Sequence, residues 1–106
     1  MHSQGGQIIP RETIAEALAE LARLDAGHVP DAEVLAAAPL LTDYVIEPCS
    51  AGIRLYGVVS GHPTIADGWC TTSPVVAADE GQMWARTVSR YYRLGRPLLP
   101  GGRVNA

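Results

Sequence analysis

Near Leu41 the sequence changes its hydrophobic period, and that change confines the chain to a fold containing both helix and sheet. Before it, Ile14, Ala17, Leu18, Leu21 and Leu24 recur at helical spacing on one side, with Glu12, Glu16, Glu20 and Arg23 opposite. After it, β-branched residues cluster between turn signals, and both Trp and all four Tyr lie beyond it. The 106 residues suit a single domain, 1–106, with no room for a second. A chain of this length buries roughly two thirds of the surface that its unfolded form exposes, so it needs no disulfide or metal to hold it together.

Pro10 suits the first position of a helix, where its missing N–H is not needed. Gly27 ends that helix as a C′ residue. Val29-Pro30-Asp31 starts a short second helix that turns Val34, Leu35 and Ala38 toward the core and stops at Pro39. Three strands follow: Tyr44-Val45-Ile46, Ile53 to Ser60, and Trp69 to Thr72 running into Val75-Val76. The turn chemistry of Ser50-Ala51-Gly52, Gly61-His62-Pro63 and Asp67-Gly68 joins them into an antiparallel meander. Pro74 cannot donate to a ladder, which puts the end of the third strand at an edge or a bulge.

The segment from Asp79 to Leu94 is predicted to be a helix. Asp79 with Gln82 resembles a capping box, Gly95 is a stop signal, and Trp84, Val88 and Tyr91 fall on one face. As a strand, the same residues would mix Arg with apolar side chains on both faces. The expected architecture is therefore α+β: two N-terminal helices, a three-stranded antiparallel sheet, and a C-terminal amphipathic helix packed on the sheet. Residues 1–7 and 98–106 are expected to be flexible.

Charge gives the sharpest functional signal. Residues 1–50 hold eight acids and two Arg, whereas residues 51–106 hold three acids and six Arg, so the net charge of −3 conceals two opposed halves. All eight basic residues are Arg, whose planar fork of donors suits carboxylate or phosphate. On the predicted helix, Gln82, Arg86, Ser89, Arg90 and Arg93 share the outer face, in a ridge about 10 Å long that Arg96 extends. Arg54 joins this set as a further contact residue. Like charges at these spacings repel unless something negative answers them. Three answers are open: the Glu12, Glu16, Glu20 row of the first helix or plain solvent, an acidic protein surface, or nucleic-acid phosphates. A pI near 5.5 argues against nonspecific nucleic-acid binding by the whole surface.

Gly61-His62-Pro63, Asp67-Gly68, Thr72-Ser73-Pro74 and the run Arg86-Thr87-Val88-Ser89-Arg90-Tyr91-Tyr92-Arg93-Leu94-Gly95 resemble a small uncharacterised family of alphaproteobacterial and phage-borne proteins, a domain of unknown function. The resemblance covers roughly residues 43–97, and its most specific part is the Arg-Thr-x-Ser-Arg-x-Tyr-Arg-Leu-Gly pattern. It implies no catalytic residues. It does imply a mobile-element setting, and with it an inhibitor of a host defence complex of the anti-CRISPR kind, acting on a CRISPR-Cas assembly.

Other classes lack the residues they require. Cys49, His62 and Cys70 have no Cys-x-x-Cys or His-x-x-x-His spacing, so no metal is expected, and the two thiols read as small buried side chains. His62 reads as a turn residue making a local hydrogen bond. Gly-x-Ser-x-Gly is absent, and a chain without Lys cannot form a standard phosphate loop. No enzyme activity and no cofactor are expected. The longest apolar stretch, Leu35 to Leu41, is broken by Pro39 and falls far short of the ~20 residues that span a bilayer. The first residues lack the basic start and apolar core of a secretory signal, which predicts a cytoplasmic protein. The expected function is binding, either to an acidic protein surface or, alternatively, to nucleic acid through the same Arg side chains, with a homodimer through the third-strand edge also open.

Overall fold

A computed structural model of the chain describes residues 9–99. Among these residues it contains two helices, α1 (Arg11–Asp25) and α2 (Ala32–Ala37), and six strands. The strands are β1 (Leu40–Cys49), β2 (Gly52–Ser60), β3 (Gly68–Thr71), β4 (Val75–Ala78), β5 (Trp84–Thr87) and β6 (Tyr91–Leu94). They form one mixed sheet in the order β3-β2-β1-β6-β5-β4. Every neighbouring pair is antiparallel except β1 and β6, which run parallel with Leu40 opposite Arg93 and Leu41 opposite Leu94.

This overturns the expected three-stranded sheet with a third helix. β1, β2 and β3 do pair as a meander. The third predicted strand, however, breaks at Thr72-Ser73-Pro74 into β3 and β4, and the segment predicted as a helix is the β5–β6 hairpin. The signals taken for helix caps serve a turn instead. Asp79 Oδ2 accepts from the Met83 N–H at 3.2 Å and the Asp79 carbonyl accepts from the Gln82 N–H at 2.9 Å, while Gln82 stands at φ 60°. The hairpin also explains why a single-strand reading alternated poorly. Its turn shifts the phase, so Trp84 and Arg86 share the outer face with Tyr91 and Arg93, while Ala85 pairs with Tyr92 inside.

β3 and β4 lie at opposite ends of the sheet order, yet only Thr72, Ser73 and Pro74 join them. In a flat sheet at ~4.8 Å per strand the two would stand about 24 Å apart. The link from Thr71 to Val75 reaches about 14 Å at most. The sheet must therefore coil almost into a barrel. The Thr72 N–H bonds the Leu55 carbonyl at 2.8 Å and Thr72 Oγ1 accepts from the Leu55 N–H at 3.0 Å, which fastens the link to β2. Inside the coil lies the core: Leu41, Tyr44, Leu55, Val59, Cys70, Ala85 and Tyr92.

β1 carries a bulge at Asp43-Tyr44, opposite Gly57 of β2, where Asp43 has φ 49°. Two glycines make room for it. A Cβ on Gly57 would lie 2.9 Å from the Thr42 carbonyl oxygen and the Tyr44 Cα, and one on Gly95 would lie 2.5 Å from Thr42 Cγ2. Beyond β6 the chain continues alongside β1: the Asp43 N–H bonds the Arg96 carbonyl at 2.7 Å, and the Leu98 N–H bonds the Tyr44 carbonyl at 3.0 Å. Leu98, expected to begin a flexible tail, is thus tied to the sheet. The remainder of that tail from residue 100, and residues 1–7, lie outside the described residues.

α1 ends as the sequence predicts. Gly27 at φ 97° sits at C′, its N–H bonds the Leu24 carbonyl at 3.0 Å, and the His28 N–H bonds the Arg23 carbonyl at 3.1 Å, a Schellman motif. Pro10 is the N-cap rather than the first helical residue. The apolar stripe of α1 is only partly covered: Ala17 is buried, whereas Ile14 and Leu18 are 42% and 58% exposed. Of the three α2-region residues expected to face the core, Ala38 is buried and Leu35 half-buried, but Val34 is 44% exposed, which corrects the sequence reading.

Candidate functional site

Because the segment is a hairpin, with α2 packed on β6 and Glu20 of α1 reaching Tyr91, the arginines do not form the exposed ridge expected of a helix. Each takes a different environment. Arg86, on β5, is half-buried with its guanidinium 5.2 Å from the centre of the Tyr91 ring. Trp84 packs edge-on to the same ring at 5.6 Å. The Tyr91 hydroxyl donates to Glu20 of α1, and burial together with that carboxylate pushes the phenol far above its ordinary range. Arg93 donates from Nε to the Ala38 carbonyl at 3.1 Å. Arg54 pairs with Glu47 at 2.7 Å and Arg96 with Asp43 at 3.0 Å.

Arg86, Ser89 and Arg90 do converge. They line one groove of about 440 Å³ with Val34 and Ala38 of the α2 region, Pro39, and Gly61 and Pro63 of the β2–β3 loop. The groove is built by tight local geometry. Thr87, wholly buried, donates from Oγ1 to the Arg90 carbonyl at 3.0 Å and accepts from the Arg90 N–H at 3.2 Å, fixing the β5–β6 turn. Ser89 is held from the other side, where its N–H and hydroxyl meet Ser73 Oγ at 3.2 and 3.1 Å. Gln82 stands at the opposite end of β5, and Arg93, Arg54 and Arg96 do not line the groove, so the contact set read from sequence reduces here to three members.

Two features mark this groove electrostatically. Among the described residues no carboxylate lies within salt-bridge distance of Arg86 or Arg90, whereas Arg23, Arg54 and Arg96 each have one. Arg86 donates from one terminal nitrogen to the Val88 carbonyl at 3.5 Å, while its buried Nε has no hydrogen-bond acceptor among the described residues. A buried donor on a cation that goes unanswered costs about 1–3 kcal/mol. The Glu row of α1 does not neutralise these groups: Glu20 is engaged by Tyr91 and lies 3.9 Å from Arg23, although it shares a neighbouring crevice with Arg86. Beside the groove, His62 Nδ1 accepts from the Thr64 and Ile65 N–H groups at 3.1 and 3.2 Å, which places the ring proton on Nε2. Burial, and then the charge of Arg90, holds His62 below its ordinary value.

Cys49 and Cys70 stand far apart. They face Gly52 and Gly57 respectively, five positions along β2 and therefore about 17 Å, well outside the ~7 Å that a disulfide tolerates between Cα atoms. Among the described residues no three His, Cys, Asp or Glu side chains gather as a metal would require, and no helix is long and apolar enough to cross a membrane.

Sequence reasoning missed one exposed surface. Tyr56 of β2 and Trp69 of β3 stack with ring centres 5.2 Å apart, 40% and 57% exposed. Period-two alternation along the two correctly placed strands carried the signal, since Trp69 lies opposite Val58 and diagonal to Tyr56.

Among the described residues, the class this defines is a small domain of two helices and one coiled six-stranded mixed sheet, with two arginines in a groove at the β5–β6 turn. The chain belongs to the family of unknown function DUF6634, whose family model matches residues 7–100. No curated protein and no solved structure matches it.

Proposed function

We propose that the protein is a non-enzymatic binding module that holds an acidic side chain of a protein partner in the Arg86–Arg90 groove. The observation that carries this reading is the convergence of Arg86 and Arg90 in one groove, where no carboxylate of the described residues bridges either of them. An incoming carboxylate would meet the guanidinium groups of Arg86 and Arg90 with charge-assisted hydrogen bonds. Pro39, Pro63 and Val34 supply an apolar rim for the chain that bears it. An acidic peptide fits better than a nucleic acid. Duplex binders of substantial affinity neutralise on the order of 6–10 phosphates, and this groove offers two guanidinium groups in a chain of net charge −3. The inhibitor role implied by the sequence resemblance would act through the same contact.

Titration with a hexaglutamate peptide and with a short DNA duplex, followed by NMR, tests the reading. The peptide is expected to shift the resonances of Arg86, Ser89 and Arg90, and the shifts are expected to vanish in an Arg86→Ala, Arg90→Ala double variant. Duplex binding that weakens steeply with salt, without a response to the peptide, would move the assignment to nucleic acid. The same titration at two protein concentrations reads the homodimer that an edge of β3 would support.

A further inference from the structure

The coiled sheet leaves a second, chemically different opening at the end formed by the β1–β2 and β4–β5 hairpins. There a cavity of about 160 Å³ reaches into the core, walled by Ile46, Ile53, Leu55, Val75 and Leu94. Tyr44 also lines it; that side chain is 2% exposed, and its hydroxyl makes no hydrogen bond among the described residues. Asp79, Glu80 and Gln82 stand at the mouth, and among the described residues no cationic side chain lines it. Asp79 Oδ2 is engaged by the Met83 N–H, which leaves the exposed Glu80 as the freer charge.

We propose that this cavity is a binding site for small molecules that combine an apolar ring or short alkyl group with a cationic nitrogen. Size supports the apolar half: an aliphatic cavity of about 150 Å³ stays dry and takes up benzene. The partners left unmet inside the protein support it as well, because walls facing a void forfeit dispersion contacts that a ligand restores. Charge at the mouth selects the second half, since an ammonium seated beside Glu80 is attracted there and a carboxylate is repelled. The site is independent of the Arg86–Arg90 groove, with which it shares no lining residue.

Phenethylamine and phenylacetate, which present the same ring with opposite charge, make the test. Phenethylamine is expected to shift the methyl resonances of Leu55, Val75 and Leu94 but not of Val34, and to raise Tm by about 5 °C at tenfold its Kd. Phenylacetate is expected to bind roughly threefold or more weakly. Glu80→Gln, an exposed change that leaves the fold intact, should narrow the difference between the two ligands, with the Asp79 carboxylate still at the mouth. Val75→Phe should fill the cavity and abolish both, and Arg86→Ala should change neither. An absence of shifts at millimolar ligand, an equal affinity for the two charges in the unmodified protein, or shifts that survive Val75→Phe would each overturn the assignment.

Discussion

The Tyr91 hydroxyl of β6 donates to the carboxylate of Glu20 in α1, a polar tie across a separation of 71 residues between the first helix and the last strand. Few apolar contacts back it up, since Ala17 is the one buried residue of α1. Tyr91→Phe is therefore expected to lower stability by about 1–2 kcal/mol. Hydrogen exchange should show where the loss falls: amides of α1 exchange faster in the variant, while those of β1 and β2 keep the protection set by global unfolding. Equal acceleration in all elements would mean that the tie belongs to the global core rather than to helix docking.

The two glycines beside the β1 bulge differ in what an added methyl group would meet. On Gly57 it would strike backbone, the Thr42 carbonyl oxygen and the Tyr44 Cα, neither of which can turn away. On Gly95 the nearest atom is a side-chain methyl of Thr42. Gly57→Ala is expected to cost about 1–3 kcal/mol or more through overpacking, and Gly95→Ala less. Urea midpoints at unchanged m value would measure the difference, and a greater loss at Gly95 would contradict the placement of the bulge.

The first two thirds of the fold were legible because their signals are local. Gly27 caps α1 where the period ends, and the meander follows from turn residues between β-rich runs. The segment from Asp79 to Leu94 misled for three physical reasons. An Asp side chain that caps free amides looks the same in sequence whether it opens a helix or closes a hairpin turn. On the outer face of β5–β6 Trp84 and Arg86 pack on the Tyr91 ring, so aromatic and Arg residues share it, and the polar alternation that marks a half-exposed strand is lost. The parallel pairing of β6 with β1 joins residues about fifty positions apart and leaves no local trace. For the site, the residue types were legible in Arg86, Ser89 and Arg90, but their convergence depends on the loop at Gly61 and Pro63.

Burial makes the core tyrosines sensitive to alkali. Tyr92, pushed up to about 12 from 10.0 chiefly by burial, holds its proton more tightly in the folded chain than in the unfolded one. Its contribution to stability is therefore complete below pH 10.0 and is lost as the pH climbs toward about 12. Tyr44 and Tyr91 are shifted in the same direction. Thermal unfolding followed against pH should show a falling limb above pH 10, and Tyr92→Phe should flatten it. A limb left unchanged by that substitution would assign it to other groups.

His62 reports on the groove from the opposite side of neutrality. Its neutral ring is favoured first by burial and then by repulsion from Arg90, and Nδ1 already accepts two backbone N–H groups that a second ring proton would displace. The folded value therefore lies below 6.5, so the stability it contributes is complete above that pH and is lost as the pH falls through the lower folded value. Ring-proton NMR should find His62 titrating below 6.5, and Arg90→Ala should raise the value only in part, because burial is the larger cause. A carboxylate bound against Arg90 would cancel the repulsion, so hexaglutamate should raise the His62 pKa in the unmodified protein and leave it unmoved in the Arg86→Ala, Arg90→Ala variant. A His62 value that ignores both the substitution and the peptide would separate this ring from Arg90 and count against a carboxylate seated beside that arginine.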